Sequence, residues 1–509
     1  MFRQLVRLAS QGNRILVSSK PKITKTSSAF STQSENDTDA GDKQMPNHPL
    51  KKTVQLLKNE LLYYKAKWKH ILKRNLSKSE WRDLQRPFPY HCDVVIIGGG
   101  AIGSSIAYWL KKEAKDGLNV AVIERDPLYK HASSVLSVGG LRQQFSLPEN
   151  IEMSLFGAEF IRNANEYLNV DKDDPLDLGF HPNGYLFLAS EAGAEIMSRN
   201  SDLQNSLGAN NILLKPDKLK QRFPWLNTDG IALGCLGLEQ EGWFDPWMLL
   251  YGFKRKALDL GAHYVNGEAI GFEFNKISGN MIKVGTDTYE EPVKLKVKTE
   301  CGTIKTITFA TVIIAAGAFS AEVAKMARIG HDKGLLSIPL PVEPRKRFVY
   351  CFHCHNGPGL NTPLTVDPTG TYFRREGLQG NYICGRSPDL DEEPLTADLE
   401  VDHDFFRNKI WPPLANRVPA FENIKVKSSW AGFYEYNSFD ENGIIGPHPY
   451  YGNMYIATGF SGHGIQQAPA VGRAISELLI NSKFVTIDLS RLSFDRFVTL
   501  EPMEEVNIV

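Results

Sequence analysis

Residues 93–103 read DVVIIGGGAIG, and this stretch decides the fold. Its Val/Ile-rich start predicts a buried strand, the residues from Ser104 to Lys112 predict a helix, and the glycines between them have the spacing G-x-G-x-x-G. At such a junction the glycines allow a tight turn and let the backbone approach a pyrophosphate, which the unpaired N–H groups of the helix N-terminus then bind. The stretch predicts a dinucleotide-binding α/β unit.

A second predicted strand, 120–123, ends at Glu124, which is 21 residues after Gly103. A carboxylate in this position accepts hydrogen bonds from a ribose diol. Strand, helix, strand and terminal acid occur in the expected order. This order favours dinucleotide binding over the alternative, a glycine-rich turn in an ordinary α/β unit.

Two further motifs lie far downstream. Residues 311–316 form a predicted strand that ends in Ala-Ala-Gly-Ala at 315–318. Residues 455–458 form another, which leads into GFSGHG at 459–464 and a predicted helix over 465–480. A second glycine-rich turn supplies more backbone donors, which a reduced flavin needs because negative charge develops near its pyrimidine edge. The dinucleotide is therefore predicted to be a flavin.

The three motifs in this order resemble the FAD-dependent D-amino-acid oxidase/sarcosine dehydrogenase superfamily over about residues 91–490. The resemblance implies an α/β protein with a Rossmann-like FAD-binding domain of the glutathione-reductase type and a second, α+β substrate domain built on an antiparallel sheet. It also implies a set of FAD-binding residues. These are Gly98, Gly100, Ala101, Ile102, Gly103, Glu124, Arg125, Ser133, Ser137, Gly139, Ala316, Gly317, Gly459, Gly462, His463, Gly464 and Gln466.

Four runs, at 138–146, 241–247, 342–347 and 459–464, look like a mitochondrial group within this superfamily. That closer resemblance implies a flavoprotein oxidoreductase required for assembling respiratory complex I, with assembly intermediates or subunits as partners, on the matrix side of the inner membrane. The alternative is a metabolic dehydrogenase that transfers a hydride from an amine or N-methylated amino acid to N5 of FAD. The motifs support FAD binding under both hypotheses.

Members of the superfamily that bind FAD covalently use a histidine or a cysteine. The matching positions here are Leu136 and the run 430–434, which has no cysteine, so we predict noncovalent FAD. The oxidase branch places a lysine over the flavin to activate O₂, and Ile383 aligns with that lysine. A missing cation favours a dehydrogenase over an oxidase.

Substrate carboxylates in this superfamily usually bind an arginine, whose planar fork holds them bidentately. Arg142 and Arg345 are our candidates, with Arg347 and the pair 374–375 as alternatives. His463 is expected to support the flavin, or else simply to cap a helix. The run CFHCH at 351–355 lacks a second ligand pair, and no metal is predicted.

The predicted domains are discontinuous. The FAD-binding domain takes residues 91–145, 305–335 and 425–490, and the substrate domain takes 146–304 and 336–424. The remaining segments are a mitochondrial targeting sequence at 1–34, a linker at 35–50, a basic helical arm at 51–90 and a C-terminal tail at 491–509.

Residues 1–34 contain six Lys/Arg, ten Ser/Thr and no acid, which is typical of mitochondrial import. Residues 51–74 combine apolar residues at helical spacing with eight Lys/Arg. Such a helix can contact an anionic inner-membrane surface, or it can pack on its own domain. The longest uncharged run, 94–110, has 17 residues and a glycine cluster, which indicates a Rossmann unit rather than a membrane span.

The whole chain has 509 residues, with 58 Lys+Arg balancing 58 Asp+Glu. Residues 1–75 carry 15 bases and 5 acids, which leaves 43 against 53 for the rest, so the body is acidic. No nucleic-acid partner is predicted, because such proteins usually carry a basic excess. Six cysteines are too few for a disulfide framework.

Overall fold

The structure is a computed structural model that describes residues 86–171, 175–238, 240–276, 283–284 and 287–506, together with the single residues 58, 80 and 83. The predicted targeting segment and linker lie outside the described residues. So does the basic helix predicted over 51–74, except for Lys58. Residues 86–90 form no helix and lead into the first strand. Within the described residues, no helix combines the length and apolarity that crossing a bilayer requires.

Numbered in chain order, the strands are β1 His91–Ile97, β2 Val120–Glu124, β3 Gly140–Leu141, β4 Tyr185–Ala189, β5 Asn211–Leu214, β6 Leu233–Gly237, β7 Gly242–Trp243, β8 His263–Lys276, β9 Lys283–Val284, β10 Asp287–Thr288, β11 Glu290–Thr299, β12 Ile304–Ile314, β13 Val342–His353, β14 Leu364–Val366, β15 Tyr372–Glu376, β16 Asn381–Gly385, β17 Lys425–Asn437, β18 Ile444–Pro447 and β19 Met454–Thr458.

The helices are α1 Ala101–Ala114, α2 Ser133–Leu136, α3 Pro148–Arg162, α4 Ala164–Leu168, α5 Glu191–Ser206, α6 Pro216–Arg222, α7 Pro246–Asp259, α8 Ser320–Met326, α9 His403–Phe405, α10 Trp411–Arg417, α11 Gly464–Asn481 and α12 Asp495–Thr499.

The first sheet has seven strands in the order β1-β2-β8-β11-β12-β19-β18, and its first five strands close into a ring because β1 also pairs with β12. β1 runs parallel to both neighbours, so that Val95 lies opposite Ala121 on one side and Val312 on the other. β8 and β11 form an antiparallel connection between β2 and β12. Parallel strands of this kind are buried on both faces.

β1 shows this double burial residue by residue. Val94 and Ile96 belong to a core cluster with α1, α7 and α11, whereas Val95 and Ile97 belong to a second cluster on the other face of the sheet. All four side chains are at most 4% exposed. A continuous Val/Ile run is therefore required from Val94 to Ile97, because each of these positions faces a core.

The second sheet has eight strands in the order β17-β13-β16-β15-β14-β4-β6-β5. All pairs are antiparallel except β14 with β4, where Leu364 lies opposite Tyr185. An aromatic cluster that includes Phe352, Phe373 and Phe421 packs against this sheet. The predicted fold class, a Rossmann-like FAD domain with an α+β domain on an antiparallel sheet, is confirmed.

The domain boundaries differ from the prediction in two places. β8 and β11 lie within the segment 146–304 expected in the substrate domain, yet they join the first sheet. β17 lies within the segment 425–490 expected in the FAD-binding domain, yet it pairs with β13 in the second sheet. Alternating burial identifies a strand but not the sheet that it joins, and this explains both differences.

The segment predicted as a C-terminal tail packs on the body as far as Val506. The Arg496 guanidinium pairs with buried Asp440, with 2.6 Å between Nε and Oδ2. The Glu505 carboxylate accepts the backbone N–H groups of Ser146 and Leu147 just before α3. Residues near the end of the chain therefore complete the N-terminus of a central helix.

Candidate functional site

A cavity of about 700 Å³ lies where β1, β2 and β12 end. Nine of the residues predicted to bind FAD line it: Gly98, Gly100, Ala101, Ile102, Glu124, Arg125, Ser133, Ala316 and Gly317. We call it the dinucleotide cavity. It stands at the carboxyl edge of a parallel sheet, where ligands of α/β proteins bind.

The first glycine loop requires its glycines for reasons within its own sheet. Gly98 has φ of +106°, and a Cβ there would lie 2.2 Å from the Ala315 carbonyl oxygen. A Cβ on Gly103 would lie 1.9 Å from the Gly98 carbonyl oxygen. Gly100 differs, because its Cβ would meet only the Ser134 hydroxyl at 3.3 Å. Gly100 is thus dispensable for the fold but leaves space where a pyrophosphate would approach.

Glu124 ends β2 beside this loop. Its Oε2 accepts the Gly99 N–H at 2.8 Å and its Oε1 accepts the Asp126 N–H at 2.7 Å. Burial raises the pKa of this carboxyl, and the two backbone N–H groups oppose that effect. The carboxylate is therefore fixed at the cavity wall with lone pairs left for a ribose diol.

A second cavity of about 190 Å³ adjoins the first, since Ser133 and Glu435 line both. We call it the substrate cavity. Seven of the predicted site residues, six of them expected FAD ligands, line it: Ser133, Ser137, Arg142, Gly462, His463, Gly464 and Gln466. Tyr185 on β4 and Tyr372 on β15 bring the second sheet to its wall. The cavity thus lies between the two sheets.

Arg142 is the most deeply buried cation of this cavity, with 4% of its surface exposed. Its Nη2 lies 3.1 Å from His463 Nε2, and its backbone N–H donates to Gln466 Oε1 at 2.8 Å. The guanidinium stacks on Phe145 at 4.2 Å from the ring centre. Arg142 is thereby held rigidly against the second glycine loop.

The protonation of His463 follows from this contact. Burial and the neighbouring Arg142 charge hold the pKa of His463 well below its usual range, so the imidazole is neutral. Because an arginine can only donate hydrogen bonds, Nε2 must be the accepting nitrogen and Nδ1 carries the proton. His463 therefore fixes Arg142 and does not compete with it for an anion.

Glu241 supports the same loop from behind. Its carboxylate accepts the Gln143 N–H and the Gln144 amide, each at 2.7 Å. Burial raises the pKa of Glu241 to about 7, although both hydrogen bonds and the Arg142 charge act against the rise. The motifs at 138–146 and 241–247 meet here, since β3 pairs with β7.

Glu435 is a site residue that the sequence reasoning missed. It lies on β17 of the second sheet, yet its carboxylate accepts the Gly459 N–H at 3.3 Å and the Thr458 hydroxyl at 3.2 Å. Burial raises its pKa to about 7, against the effect of those hydrogen bonds. Glu435 is the single acid of β17, and this lone acid was the sequence signal that could have identified it. Glu435 links the two sheets at the junction of the cavities.

The second glycine loop, 459–464, is shaped by β17. Tyr434 donates its hydroxyl to the Ser461 carbonyl oxygen, and a Cβ on Gly462 would lie 2.5 Å from the Tyr434 ring. Gly464 would place its Cβ 2.9 Å from Glu435 Oε1. Gly459 lines neither cavity and instead bonds Glu435 through its N–H. The loop thus meets side chains of the other sheet.

The structure separates the arginine candidates. Arg345 lines neither cavity; its guanidinium stacks on Tyr436 at 3.5 Å and pairs with Glu343 and Glu393. Arg347, two residues along β13, does line the substrate cavity. Arg374 and Arg375 are buried elsewhere, and Arg374 donates to the Val138 carbonyl. Arg142 and Arg347 are therefore the candidates that the cavity supports.

Leu136 and the run 430–434, which match the covalent-link sites of other members, come together. Leu136 and Gly432 both line the substrate cavity, and a Cβ on Gly432 would lie 3.0 Å from the Leu136 Cβ. Trp430 Nε1 donates to the Leu136 carbonyl at 2.9 Å. Neither position offers a nucleophile. Noncovalent binding stays a prediction.

The position of Ile383 does not support the argument for a dehydrogenase. This residue is buried on β16 and lines neither cavity, whereas Arg386 and Ser387 beyond the end of β16 line the substrate cavity. The expectation that the cavity lacks a fixed cation is wrong, because Arg142, Arg347 and Arg386 line it. The choice between dehydrogenase and oxidase must rest on other grounds.

Gly139 lines neither cavity, but it has φ of +70° and a Cβ would lie 2.0 Å from the Phe244 carbonyl oxygen. It shapes the turn that leads to Arg142.

Among the described residues, no group of three or more His, Cys, Asp or Glu side chains is arranged to hold a metal ion. The run at 351–355 follows this finding, and its His353 is hydrogen-bonded to Asn381 on the second sheet.

The chemistry of the two cavities fits FAD. The dinucleotide cavity offers an anion-binding helix N-terminus and a fixed carboxylate, and the smaller cavity offers a glycine loop, which are the donors and acceptors that the two halves of FAD require. The groups that would meet FAD come from distant parts of the chain. The fold itself brings them together.

Comparison with known proteins agrees with this geometry. A family model described as FAD dependent oxidoreductase matches residues 93–478. The chain is 54% identical over 434 residues to FAD-dependent oxidoreductase domain-containing protein 1 of Xenopus laevis, covering 83% of this chain and 85% of that protein. It is 47% identical over 507 residues to the Drosophila melanogaster homolog, covering 95% and 96%.

Among solved structures, L-proline dehydrogenase from P. horikoshii superposes with a TM-score of 0.67 at 26% identity, covering 82% of this chain and all of that chain. The similarity therefore extends over both sheets.

Proposed function

This chain belongs to the FAD dependent oxidoreductase family, and on that premise we propose that it oxidises a small amine or N-methylated amino acid that carries a carboxylate. FAD is the cofactor of this family and supplies, when bound, the hydride acceptor. One observation carries the proposal: a rigid, buried Arg142 beside the glycine loop, with a neutral histidine behind it.

Each lining residue then has a defined task. Arg142 binds the carboxylate, because a buried guanidinium is a strong bidentate partner. Tyr185 and Tyr372 form apolar walls with their rings and exclude water from the amine carbon. Burial raises the pKa of Tyr185 to about 12, so its hydroxyl is neutral and does not repel an anionic substrate.

The reaction is assigned as a dehydrogenation in which O₂ is not the acceptor. Support comes from the L-proline dehydrogenase, which is matched over its full length and covers 82% of this chain. The test is stopped-flow mixing of the reduced protein with air-saturated buffer. Full reoxidation within seconds would contradict this assignment and identify an oxidase.

The substrate test is an anaerobic screen of amines and amino acids for bleaching of the flavin absorbance. We expect bleaching by a compound with both an amine and a carboxylate, and its loss in Arg142→Ala with flavin content unchanged. Bleaching that persists in Arg142→Ala would contradict the role of this arginine. Flavin recovered in the acid supernatant rather than the pellet checks noncovalent binding.

A second candidate function is an assembly factor for respiratory complex I, acting on the matrix side of the mitochondrial inner membrane. Its support is the resemblance of the four runs to a mitochondrial group and the basic, acid-free composition of residues 1–34. The partners would be complex I subunits or assembly intermediates. The basic segment 51–74 would contact anionic lipid at that membrane.

Gly100→Ala distinguishes the two functions, because its Cβ meets only the Ser134 hydroxyl and the fold should survive while FAD is lost. Cells lacking the protein are complemented with this variant or with a deletion of 51–74, and complex I is measured on native gels. Assembly restored by Gly100→Ala but not by the deletion would support docking without redox chemistry. Assembly restored by both would contradict the assembly role of segment 51–74.

A further inference from the structure

The lining of the substrate cavity has more positive than negative charge. It contains Arg142, Arg347 and Arg386, whereas Glu435 is its single carboxyl group. Glu435 bonds Thr458 and Gly459 of the glycine loop, and its raised pKa, about 7, leaves it partly neutral at neutral pH. A ligand with one carboxylate would offset only part of this charge.

Arg347 already holds a carboxylate. Its Nη1 and Nη2 donate to the two oxygens of Glu393 at 2.8 and 2.9 Å, which is the fork geometry of a bound acid. Its Nε is buried without a hydrogen-bond partner among the described residues. Glu393 itself does not line the cavity. Glu393 therefore occupies the guanidinium fork of Arg347 from outside the cavity.

Glu393 belongs to residues 387–400, which we call the acidic segment. Besides Glu393, this segment contributes Asp398 to an ion pair with Lys346 and Asp389 to one with Arg386. Of its three leucines, Leu390 and Leu395 are largely exposed, at 77% and 84%, whereas Leu399 packs against the aromatic cluster of the second sheet.

Leu399 therefore attaches the acidic segment to the second sheet, together with the ion pairs of Asp389 and Asp398, which are partly exposed. Exposed ion pairs are weak and are screened by salt. The Arg347–Glu393 pair is different, because both side chains are at most 20% exposed and Glu393 also pairs with Arg345. A ligand carboxylate would therefore leave Glu393 in place and bind the unpartnered Nε of Arg347.

The positions of Arg142 and Arg347 fit one small ligand. Arg347 lies with its guanidinium carbon 4.9 Å from the Tyr434 ring centre. Arg142 and Tyr434 line the same cavity. Both arginines therefore face one space of about 190 Å³.

We propose that this cavity takes a substrate with two acid groups, an amino or imino dicarboxylate, whose first carboxylate binds Arg142 and whose second binds Arg347 through its unpartnered Nε. This rests on the proposed function for the presence of the amine. The recognition of two carboxylates does not, because it needs no turnover. Monocarboxylates gain only the Arg142 contact.

The test is calorimetric titration of the FAD-loaded protein with glutarate and with pentanoate, which have the same number of carbons and differ in the second carboxylate. Neither has an amine to oxidise. We expect glutarate to bind at least about tenfold more tightly than pentanoate, a difference of about 1.4 kcal/mol. High salt should reduce the preference.

Three variants locate the preference. Arg347→Met should abolish it, and Glu393→Gln should strengthen glutarate severalfold while leaving pentanoate unchanged. Glu343→Gln is the matched control, because Glu343 pairs with Arg345 on the same strand but not with Arg347. It should change neither ligand. Flavin content and Tm are measured for each variant, and if Arg347→Met does not fold, Glu393→Gln decides alone.

Equal affinities of the wild type for glutarate and pentanoate would overturn the proposal, as would a glutarate preference that persists in folded Arg347→Met. Failure of the proposed function looks different. In that case glutarate still binds preferentially, but no amino dicarboxylate bleaches the flavin.

Discussion

The two glycine loops of this molecule reach the same cofactor by different means. In the first loop, the obstacle to a side chain at Gly98 is the backbone of the neighbouring strand, at Ala315. In the second loop, the obstacles at Gly462 and Gly464 are the side chains of Tyr434 and Glu435, which belong to the other sheet. The first loop is a property of one sheet, whereas the second exists only because two sheets meet.

The largest expected effect is that of Gly98→Ala. A Cβ at 2.2 Å from a backbone oxygen and φ of +106° cannot be accommodated by any rotamer change. We expect a loss of more than about 3 kcal/mol in unfolding free energy and no bound flavin, measured by chemical denaturation and by the flavin-to-protein absorbance ratio. Gly117→Ala is the control, since nothing lies within 4 Å of its Cβ. Normal flavin content in Gly98→Ala would show that the first loop is not rigid.

The next prediction concerns the second loop, where a substitution should be reversible because the obstacle is a side chain and not the backbone. Gly462→Ala places a Cβ 2.5 Å from the Tyr434 ring and should also lose flavin. Adding Tyr434→Ala removes the obstacle, and we expect partial recovery of flavin content. Recovery stays partial because φ of +88° still costs about 1 to 2 kcal/mol. If the double variant binds no more flavin than Gly462→Ala, the side-chain explanation fails.

The smallest and most specific effect concerns pH. The folded pKa of Glu435, about 7, exceeds its ordinary value of 4.5, so the folded state binds the proton more tightly than the unfolded state. The stability from this group is complete below pH 4.5 and is lost as the pH rises through about 7.

We expect Glu435→Gln to flatten the pH dependence of unfolding free energy between pH 5 and 8, a difference on the order of 3 kcal/mol from the two pKa values. Urea denaturation at several pH values measures it. Glu343→Gln, an exposed acid, is the control and should leave the slope unchanged. A slope in Glu435→Gln equal to that of the wild type would contradict the raised pKa.

The same contrast explains how far the sequence could predict the site. The strand, turn, helix and Glu124 of the first loop are local, and the structure places all of them in the dinucleotide cavity. The choice between Arg345 and Arg347 was not predictable, because both alternate to the same face of β13. Only the packing of Tyr436 on Arg345 separates them.

Glu435 was missed for a related reason. Nothing in the run 430–437 shows that β17 leaves the FAD-binding domain and pairs with β13. The side chain is a site residue because two distant segments, 425–437 and 459–464, come together in three dimensions. The alternation of side chains along the chain predicted strand β17 but not the strand with which it pairs.

The order of strands in the first sheet also determines when β1 can be buried during synthesis. β1 ends at Ile97, and the parallel core that buries it is complete only when β19 ends at Thr458. At about 5 to 20 residues per second, a ribosome needs roughly 20 to 70 s to make the intervening chain. During that time β1 can pair with β2 and later with β12, but its face at Val94 and Ile96 lacks the cover of α11. Newly made chains should therefore depend on chaperones until the last fifth of the protein emerges.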